Sequence, residues 1–101
     1  MIIYSSRFYK ELENITAFIL KDSQQRALKF SDELFLKIEN IPNHPLAYPK
    51  YKDNEFIRKL IYKKYVIPFE ILKDDIYILG IFKKIFGANK SFNFRALKCK
   101  L

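Results

Sequence analysis

Residues 56–82 read FIRKLIYKKYVIPFEILKDDIYILGIF, and this run contains three segments rich in β-branched and aromatic residues, separated by two charged turns. The segments cover residues 57–62, 65–72 and 76–82, and the turns are Lys63-Lys64 and Lys73-Asp74-Asp75. Such side chains favour strands, and turns this short connect antiparallel neighbours. The run therefore predicts a three-stranded antiparallel meander.

The middle segment predicts which face of this sheet is buried. From Tyr65 to Ile71 every second residue is apolar, whereas the residues between them are mixed in character. Alternate side chains of a strand point to opposite faces, so one face is strongly apolar and we expect the helices to pack on it. Pro68 lies inside this segment and has no amide hydrogen to donate, which predicts an edge position or a β-bulge.

The chain upstream of the sheet begins with a predicted strand and a predicted helix. Residues 2–6 are short and β-prone. An apolar residue then recurs every three or four positions, which is the period of a helix with one buried face, and we expect this helix to end near Leu20. The apolar stripe consists of Phe8, Leu12, Ile15 and Ile19.

A second helix is predicted only a few residues later. Asp22 is suited to cap its first turn, with Gln25 three residues on completing a capping box, and Pro42 stops the helix. Its apolar stripe consists of Ala27, Phe30, Leu34, Ile38 and Ile41. Because the link between the helices is short, they form an antiparallel hairpin. The fold class is therefore α+β: an N-terminal strand, a two-helix antiparallel hairpin and a three-stranded antiparallel meander.

The segment between the second helix and the sheet, residues 42–54, contains three prolines and His44. It has neither a helical nor a strand period, so we expect an ordered, turn-rich loop. Loops of this length are often functional. A loop that merely crosses from the helices to the sheet is the alternative, and both stay open here.

The positive charge is concentrated in the second half of the chain. Residues 1–55 carry eight Lys or Arg and eight Asp or Glu, whereas residues 56–101 carry eleven and three. The formal net charge of the whole chain is +8. A local excess of cations attracts phosphate groups or acidic protein segments, and the charge alone does not decide between them.

Length and composition exclude several classes of protein. A chain of 101 residues, half of them hydrophobic, fits one domain (residues 1–101) with its own core. Cys99 is the only cysteine, which excludes an internal disulfide and a cysteine-based zinc site, and we expect no metal and no cofactor. No segment approaches the apolar length of a membrane span, and the start lacks the pattern of a secretory signal. We therefore expect a cytoplasmic protein without a membrane partner.

The order of these elements resembles the RelE/ParE superfamily of toxins from bacterial type II toxin–antitoxin modules. The resemblance covers most of the chain and is carried mainly by residues 56–61 (FIRKLI), 65–71 (YVIPFEI) and 75–81 (DIYILGI). These stretches are similar to the family's Arg-x-Leu strand, its Tyr-x-x-x-Tyr/Phe strand and its closing Ile-x-Ile-Leu-x-Ile strand. The resemblance implies a toxin that arrests growth and contributes to plasmid stabilisation.

One branch of the superfamily, the RelE-like toxins, cleaves messenger RNA in the ribosome. Attack by a 2′-hydroxyl needs a proton acceptor, a proton donor and cations beside the phosphate, but no metal. The candidates here are Arg58, Lys83 and Lys84 as cations and His44 as the group that titrates near neutrality. Val66 stands where RelE-like nucleases that use an arginine in this strand carry it, which weighs against cleavage.

These candidates also have structural interpretations. His44 lies between Asn43 and Pro45, where an exposed loop position is expected. Arg58 can pair with the carboxylate of Glu55 or Glu70 instead of a phosphate. The adjacent lysines at 63 and 64 most simply form a solvated turn.

The other branch, the ParE-like toxins, inhibits DNA gyrase, and this is the mechanism that we expect. The target-binding candidates are basic and aromatic residues at the C-terminal end: Lys83, Lys84, Lys90, Phe92 and Arg95. Ribosome-dependent cleavage of messenger RNA is the alternative. A basic nucleic-acid-binding module is the third possibility, because the charge asymmetry alone would suffice for it.

The resemblance also implies a protein partner. Toxins of this superfamily are neutralised by an antitoxin whose acidic or amphipathic segment wraps the sheet and the helices. A chain with a net charge of +8 and 17% aromatic residues fits such a segment. We expect a toxin–antitoxin hetero-oligomer, with DNA gyrase or the ribosome and its messenger RNA as the target.

Overall fold

The structure is a computed structural model that describes residues 1–52 and 54–84. Its elements, in chain order, are β1 (Ile2–Tyr4), α1 (Ser6–Leu20), α2 (Gln24–Glu39), two 3₁₀ turns (Ile41–Asn43 and Pro45–Ala47), β2 (Ile57–Tyr62), β3 (Tyr65–Leu72), β4 (Asp75–Ile78) and β5 (Phe82–Lys83). This order confirms the predicted α+β fold. Within the described part of the chain, neither helix is long and apolar enough to cross a membrane.

All five strands belong to one sheet with the order β1-β4-β3-β2, and β5 pairs with the first residues of β3. The pairs β2–β3, β3–β4 and β3–β5 are antiparallel, and β1 runs parallel to β4. A parallel pair needs a crossover connection, which the helical hairpin begins. The sheet is thus mainly antiparallel, with β3 in its interior.

The strand predicted over residues 76–82 is not continuous, and this prediction was wrong. Ile78 at the end of β4 lies opposite Phe69, whereas Phe82 at the start of β5 lies opposite Val66. Between these two pairs, the three residues 79–81 lie opposite only two residues of β3, 67 and 68. This is a β-bulge of one extra residue.

Pro68 provides the physical reason for the bulge. Its carbonyl accepts a hydrogen bond from the amide of Leu79 at 2.9 Å. Because proline has no amide hydrogen, it cannot return the second bond of a regular pair. The prediction of an edge position or a bulge at Pro68 is confirmed in its second form, since β3 lies inside the sheet.

Helix α1 has the predicted buried face and the predicted end. Phe8 and Leu12 are buried, and Ile15 and Ile19 are half-buried against the same core. Ser5 is the N-cap, and its Oγ accepts a hydrogen bond from the amide of Phe8 at 3.0 Å. This bond satisfies one of the amides that an α-helix leaves unpaired at its start.

The predicted capping box of α2, formed by Asp22 and Gln25, was wrong. Ser23 is the N-cap, and its Oγ accepts from the amide of Arg26 at 3.2 Å. The amide of Asp22 instead donates to the carbonyl of Ile19 at 3.0 Å, so Asp22 still belongs to the turn that closes α1. The cap therefore moves one residue along the chain.

The end of α2 also differs slightly from the prediction. The helix ends at Glu39, and Pro42 lies within the following 3₁₀ turn rather than directly after the helix. A proline cannot donate to the carbonyl four residues earlier, so the chain changes to bonds across three residues, such as Asn43 amide to Asn40 carbonyl. Ile41 nevertheless stays fully buried, as its place in the apolar stripe predicted.

The main core lies between the helical hairpin and one face of the sheet. Its members include Phe8, Leu12, Phe30, Leu34 and Ile38 from the helices and Leu60, Tyr62, Ile67 and Phe69 from β2 and β3. The apolar face predicted for β3 is therefore confirmed. A smaller cluster of Tyr51, Ile57, Val66 and Leu79 covers part of the opposite face. Each fully buried side chain of this size contributes about 1.5–3 kcal/mol to the hydrophobic stabilisation.

Candidate functional site

Four exposed lysines meet at one end of the sheet. Lys83 lies opposite Tyr65 in the β3–β5 pair, and the amide of Lys84 donates to the carbonyl of Lys64 at 2.6 Å. This places Lys83 and Lys84, which the sequence analysis selected, beside Lys63 and Lys64, all of them exposed. From the sequence, Lys63 and Lys64 most simply form a solvated turn, and only the pairing of β5 with β3 joins them to the other two.

Lys63 occupies an unusual backbone conformation at this end. Tyr62 lies opposite Tyr65, so the turn between β2 and β3 contains only Lys63 and Lys64. The φ angle of Lys63 is 54°, in the left-handed region that glycine and asparagine favour. Its Nζ lies 5.4 Å from the centroid of the Tyr62 ring, within the range of a cation–π contact.

Tyr62 links this end of the sheet to α2. Its hydroxyl donates a hydrogen bond to Oε2 of Glu33 at 2.6 Å, while the side chain is almost fully buried. Burial, together with this hydrogen bond, raises the pKa of Tyr62 to about 12. The same hydrogen bond holds the pKa of the Glu33 carboxyl below its ordinary value. Tyr62 is thus a neutral donor at physiological pH and fixes the helix to the sheet.

The titration of Tyr62 gives a direct test of this contact. Tyrosine in the unfolded chain loses its proton near pH 10, so above that pH the folded state binds more protons and stability falls until the pH passes about 12. We expect the tyrosinate absorbance of the folded protein, minus that of Tyr62→Phe, to titrate near pH 12. In denaturant the same difference should titrate near 10. A folded-state midpoint near 10 would contradict the contact.

Arg58 holds the loop after α2 rather than a carboxylate. Its guanidinium donates to the carbonyl of Tyr48 at 2.6 Å and reaches that of Leu46 at 3.5 Å. In residues 1–52 and 54–84, no ion pair joins Arg58 to Glu55 or Glu70. These carbonyl contacts take the place of the carboxylate pair that was one alternative for Arg58, and its binding of a phosphate stays a prediction.

Of the residues selected for RNA cleavage, Arg58 lies apart from Lys83 in the described structure. Arg58 lies opposite Phe69, four positions along β3 from Tyr65, which is the partner of Lys83, and four residues of a strand span about 13 Å. His44 is exposed and lies between the two 3₁₀ turns, in the loop that Arg58 contacts. A catalytic role for these residues stays a prediction. The target-binding candidates Lys90, Phe92 and Arg95 lie outside the described residues.

The proline-rich loop has a structural role along the edge of the sheet. The amide of Tyr51 donates to the carbonyl of Ile57 at 2.8 Å, and the amide of Lys59 donates to the carbonyl of Pro49 at 3.0 Å. These bonds cover part of the outer edge of β2, which would otherwise present unpaired backbone groups. Of the two alternatives for this loop, the described contacts support the crossing segment and add an edge-covering role.

No metal site is visible in the part of the chain that the structure describes. Within residues 1–52 and 54–84, no group of three or more His, Cys, Asp or Glu side chains is placed to hold an ion. The lysine end presents exposed ammonium groups, which bind and neutralise anions. Such an arrangement suits the recognition of a negatively charged partner.

Comparison with solved structures places this architecture in a known class of proteins. A structure titled "Chromosomal ParDE TA system from P. aeruginosa" is similar with a TM-score of 0.70 and 15% identity, over 81% of this chain and 92% of that chain. The RelB–RelE antitoxin–toxin complex from Methanococcus jannaschii is similar with a TM-score of 0.54 and 19% identity, over 81% and 90%. The fold is that of the RelE/ParE superfamily of toxins, as the sequence predicted.

The family itself is given by the sequence. Residues 2–84 match the family described as "ParE toxin of type II toxin-antitoxin system, parDE", and this chain belongs to it. No curated protein sequence matches the chain. The matched region runs from β1 through β5, so the whole described sheet and both helices belong to the family domain.

Proposed function

We propose that this protein, as a toxin of a type II toxin–antitoxin module, arrests growth by inhibiting DNA gyrase. The observation that carries the proposal is the match of the ParE toxin family to residues 2–84. Gyrase inhibition is the activity that the resemblance to ParE-like toxins implies. The similarity to the P. aeruginosa ParDE structure supports the same branch of the superfamily.

The arrangement of the nuclease candidates favours gyrase over RNA cleavage. Val66, at the position of an arginine in RelE-like nucleases, is 5% exposed and packs with Leu79 in the smaller cluster. Arg58 is held by two loop carbonyls and lies along the sheet from the lysine end. A cleavage site would need cations and a proton-transfer group around one phosphate. The separation of Arg58 from Lys83 along β3 supports gyrase as the target.

The lysine end of the sheet is the surface that we propose to contact the target. Lys83 and Lys84 are exposed and lie beside the β2–β3 turn, which adds two further cations. Clustered cations raise the local potential more than scattered ones and steer an acidic surface or DNA toward this end. Lys90, Phe92 and Arg95 belong to the same proposal, although they lie outside the described residues.

An acidic, amphipathic antitoxin segment is the partner that we propose for the free toxin. Large apolar side chains are exposed on both helices, on residues Tyr9, Phe18, Leu20, Leu28 and Leu36. Single exposed apolar residues are ordinary, but five on one helical hairpin provide apolar anchors for a covering segment. The net charge of +8 favours an acidic partner, and both similar structures contain a toxin with its antitoxin.

A supercoiling assay with purified gyrase tests the proposed target. We expect the protein to inhibit supercoiling of relaxed plasmid, and the double variant Lys83→Glu with Lys84→Glu to need roughly tenfold more protein for half-inhibition, since both cations that face the target are reversed. The matched control is Lys50→Glu with Lys73→Glu, which makes the same change of charge at exposed residues away from the lysine end. Lys50 pairs with Arg58, which lies opposite Phe69. Lys73 follows the far end of β3. This control should inhibit like the unmodified protein.

Primer extension on transcripts, after induction of the toxin alone in bacteria, separates the two branches of the superfamily. Growth arrest with intact transcripts agrees with gyrase. Cuts inside translated regions that vanish when translation is blocked would overturn the gyrase proposal in favour of the ribosomal nuclease.

The supercoiling assay also tests the proposed contact surface. If the two double variants lose inhibition equally, Lys83 and Lys84 do not belong to the target surface.

A further inference from the structure

A cleft lies between the turn that joins the two helices and the turn that joins β2 and β3. Its volume is about 300 Å³. It is lined by four cations, Arg26, Lys29, Lys63 and Lys64, together with the rings of Phe18 and Tyr65. We refer to these six residues as the basic cleft. It shares Lys63 and Lys64 with the lysine end but involves neither Lys83 and Lys84 nor the residues considered for RNA cleavage.

The charge of the basic cleft is only weakly compensated. Among the lining residues that belong to the described part of the chain, Asp22 is the one carboxylate. Lys29 reaches a carboxylate of Glu33 at 3.9 Å, but both side chains are substantially exposed, so this pair is weak. In the described ranges 1–52 and 54–84, no ion pair involves Arg26, Lys63 or Lys64. A concave surface with this surplus of cations attracts an anion.

Flat apolar surface lies directly beside these cations. The ring of Phe18 is 69% exposed, although it belongs to a helix whose other face fills the core. Tyr65 is half-buried, and its ring packs edge-on against the buried ring of Phe30 at 5.3 Å. Rings next to cations are the usual platform for a nucleic-acid base with its phosphate, because every base has a face that can stack.

We propose that the basic cleft binds a nucleotide, with its phosphate on the four cations and its base against Phe18 and Tyr65. A volume of about 300 Å³ is at the lower limit of small-molecule sites and suits one nucleotide rather than a helix. An acidic peptide would use the cations but has no need of the exposed ring. A free nucleotide and a nucleotide within a single strand share this chemistry.

The backbone of Lys63 supplies a matched pair of variants for the test. Lys63 and Lys73 are both exposed lysines with φ near 55°, at 54° and 55°. Lys63 lines the cleft, whereas Lys73 lies in the turn at the opposite end of β3. Replacing either by glycine relieves the same left-handed conformation and removes one positive charge. The two variants therefore differ in whether the lost cation belongs to the cleft, and Lys63→Gly also removes the contact with the Tyr62 ring.

Binding of the full chain to a fluorescently labelled oligodeoxythymidine strand, followed by anisotropy, tests the proposal. On the strand each of the four cations pairs with a separate phosphate, so the logarithm of the binding constant should fall against the logarithm of salt concentration with a slope of about −3. We expect Lys63→Gly to weaken binding about tenfold and to reduce that slope by about 0.7. Lys73→Gly should bind like the unmodified protein. Competition by free ATP shows whether a single nucleotide suffices.

The stacking part of the proposal has its own variants. Phe18→Ala should weaken binding of the strand about tenfold, since it removes the exposed platform. Phe56→Ala is the control, because the ring of Phe56 is also 69% exposed but does not line the cleft. Thermal unfolding of each variant shows that the fold is kept.

Three outcomes would overturn the proposal. The first is no binding of either the strand or ATP by the unmodified protein. The second is an equal loss in Lys63→Gly and Lys73→Gly, which would indicate diffuse attraction by net charge. The third is a glutamate-rich peptide that displaces the strand while Phe18→Ala has no effect, which would make the cleft an acidic-peptide site. These outcomes are measured by binding of a strand, whereas the gyrase proposal is measured by supercoiling with Lys83 and Lys84 reversed, so the two proposals fail separately.

Discussion

Replacement of Phe8 by alanine is expected to lower the free energy of unfolding by about 3–5 kcal/mol. Phe8 is fully buried in α1, and its ring lies 5.2 Å from that of Tyr4 in β1 and 6.2 Å from that of Phe35 in α2. The truncation leaves a cavity where the first strand and both helices meet. Small domains have only about 5–15 kcal/mol of stability in total, so the loss is a large share.

Phe18→Ala provides the matched control, because it makes the same substitution on the same helix where the ring is 69% exposed. Its effect should stay within about 0.5 kcal/mol, as for other surface substitutions. Denaturation by urea, followed by circular dichroism, measures both variants without a tryptophan, which this chain lacks. Equal losses in the two variants would contradict the packing of α1 on the core.

The periodic parts of the fold were predictable from the sequence because periodicity reports burial directly. Spacings of three and four placed Phe8, Phe30 and Leu34 on buried helix faces, and all three are buried. Alternation along β3 placed Ile67 and Phe69 on the face that the helices cover, and both belong to the main core. These patterns repeat over many residues, so a single irregular position does not obscure them.

The boundaries were harder to predict because they depend on single hydrogen bonds. Asp22 and Ser23 are both good capping residues, and only the bond that the Arg26 amide donates to Ser23 Oγ shows which of them caps α2. The break between β4 and β5 depends likewise on Pro68 of the neighbouring strand. Local propensity carries no information about the register between two strands.

The candidate sites were the least predictable part, since they combine residues that are distant in sequence. The basic cleft joins Phe18 and Arg26 at the helical turn to Lys63 and Lys64 at a strand turn. Neither the residues at the helical turn nor those at the strand turn form a recognisable sequence motif. Exposed lysines in a turn are common and do not by themselves indicate a site. Arg58 is a second example. It lies in a strand, and its position there does not predict that its guanidinium donates to the carbonyls of a loop.

Replacement of Ser5 by alanine is expected to cost about 2–3 kcal/mol, although it removes one oxygen atom. Ser5 is buried, and its Oγ both accepts from the amide of Phe8 at 3.0 Å and donates to the carbonyl of Leu79 at 2.8 Å. The first bond caps α1, and such a cap contributes about 1 kcal/mol. The second satisfies a carbonyl of the bulge, and a buried group left without its partner costs about 1–3 kcal/mol.

Ser23→Ala isolates these two contributions, because Ser23 caps α2 through one hydrogen bond, to the amide of Arg26. It should cost only about 1 kcal/mol, so the excess in Ser5→Ala measures the bond to the bulge. A second bond joins α1 to this segment, from the amide of Ile81 to the carboxylate of Glu11 at 3.1 Å. If Ser5→Ala costs no more than Ser23→Ala, the Leu79 carbonyl finds another donor and α1 depends less on the bulge than these contacts indicate.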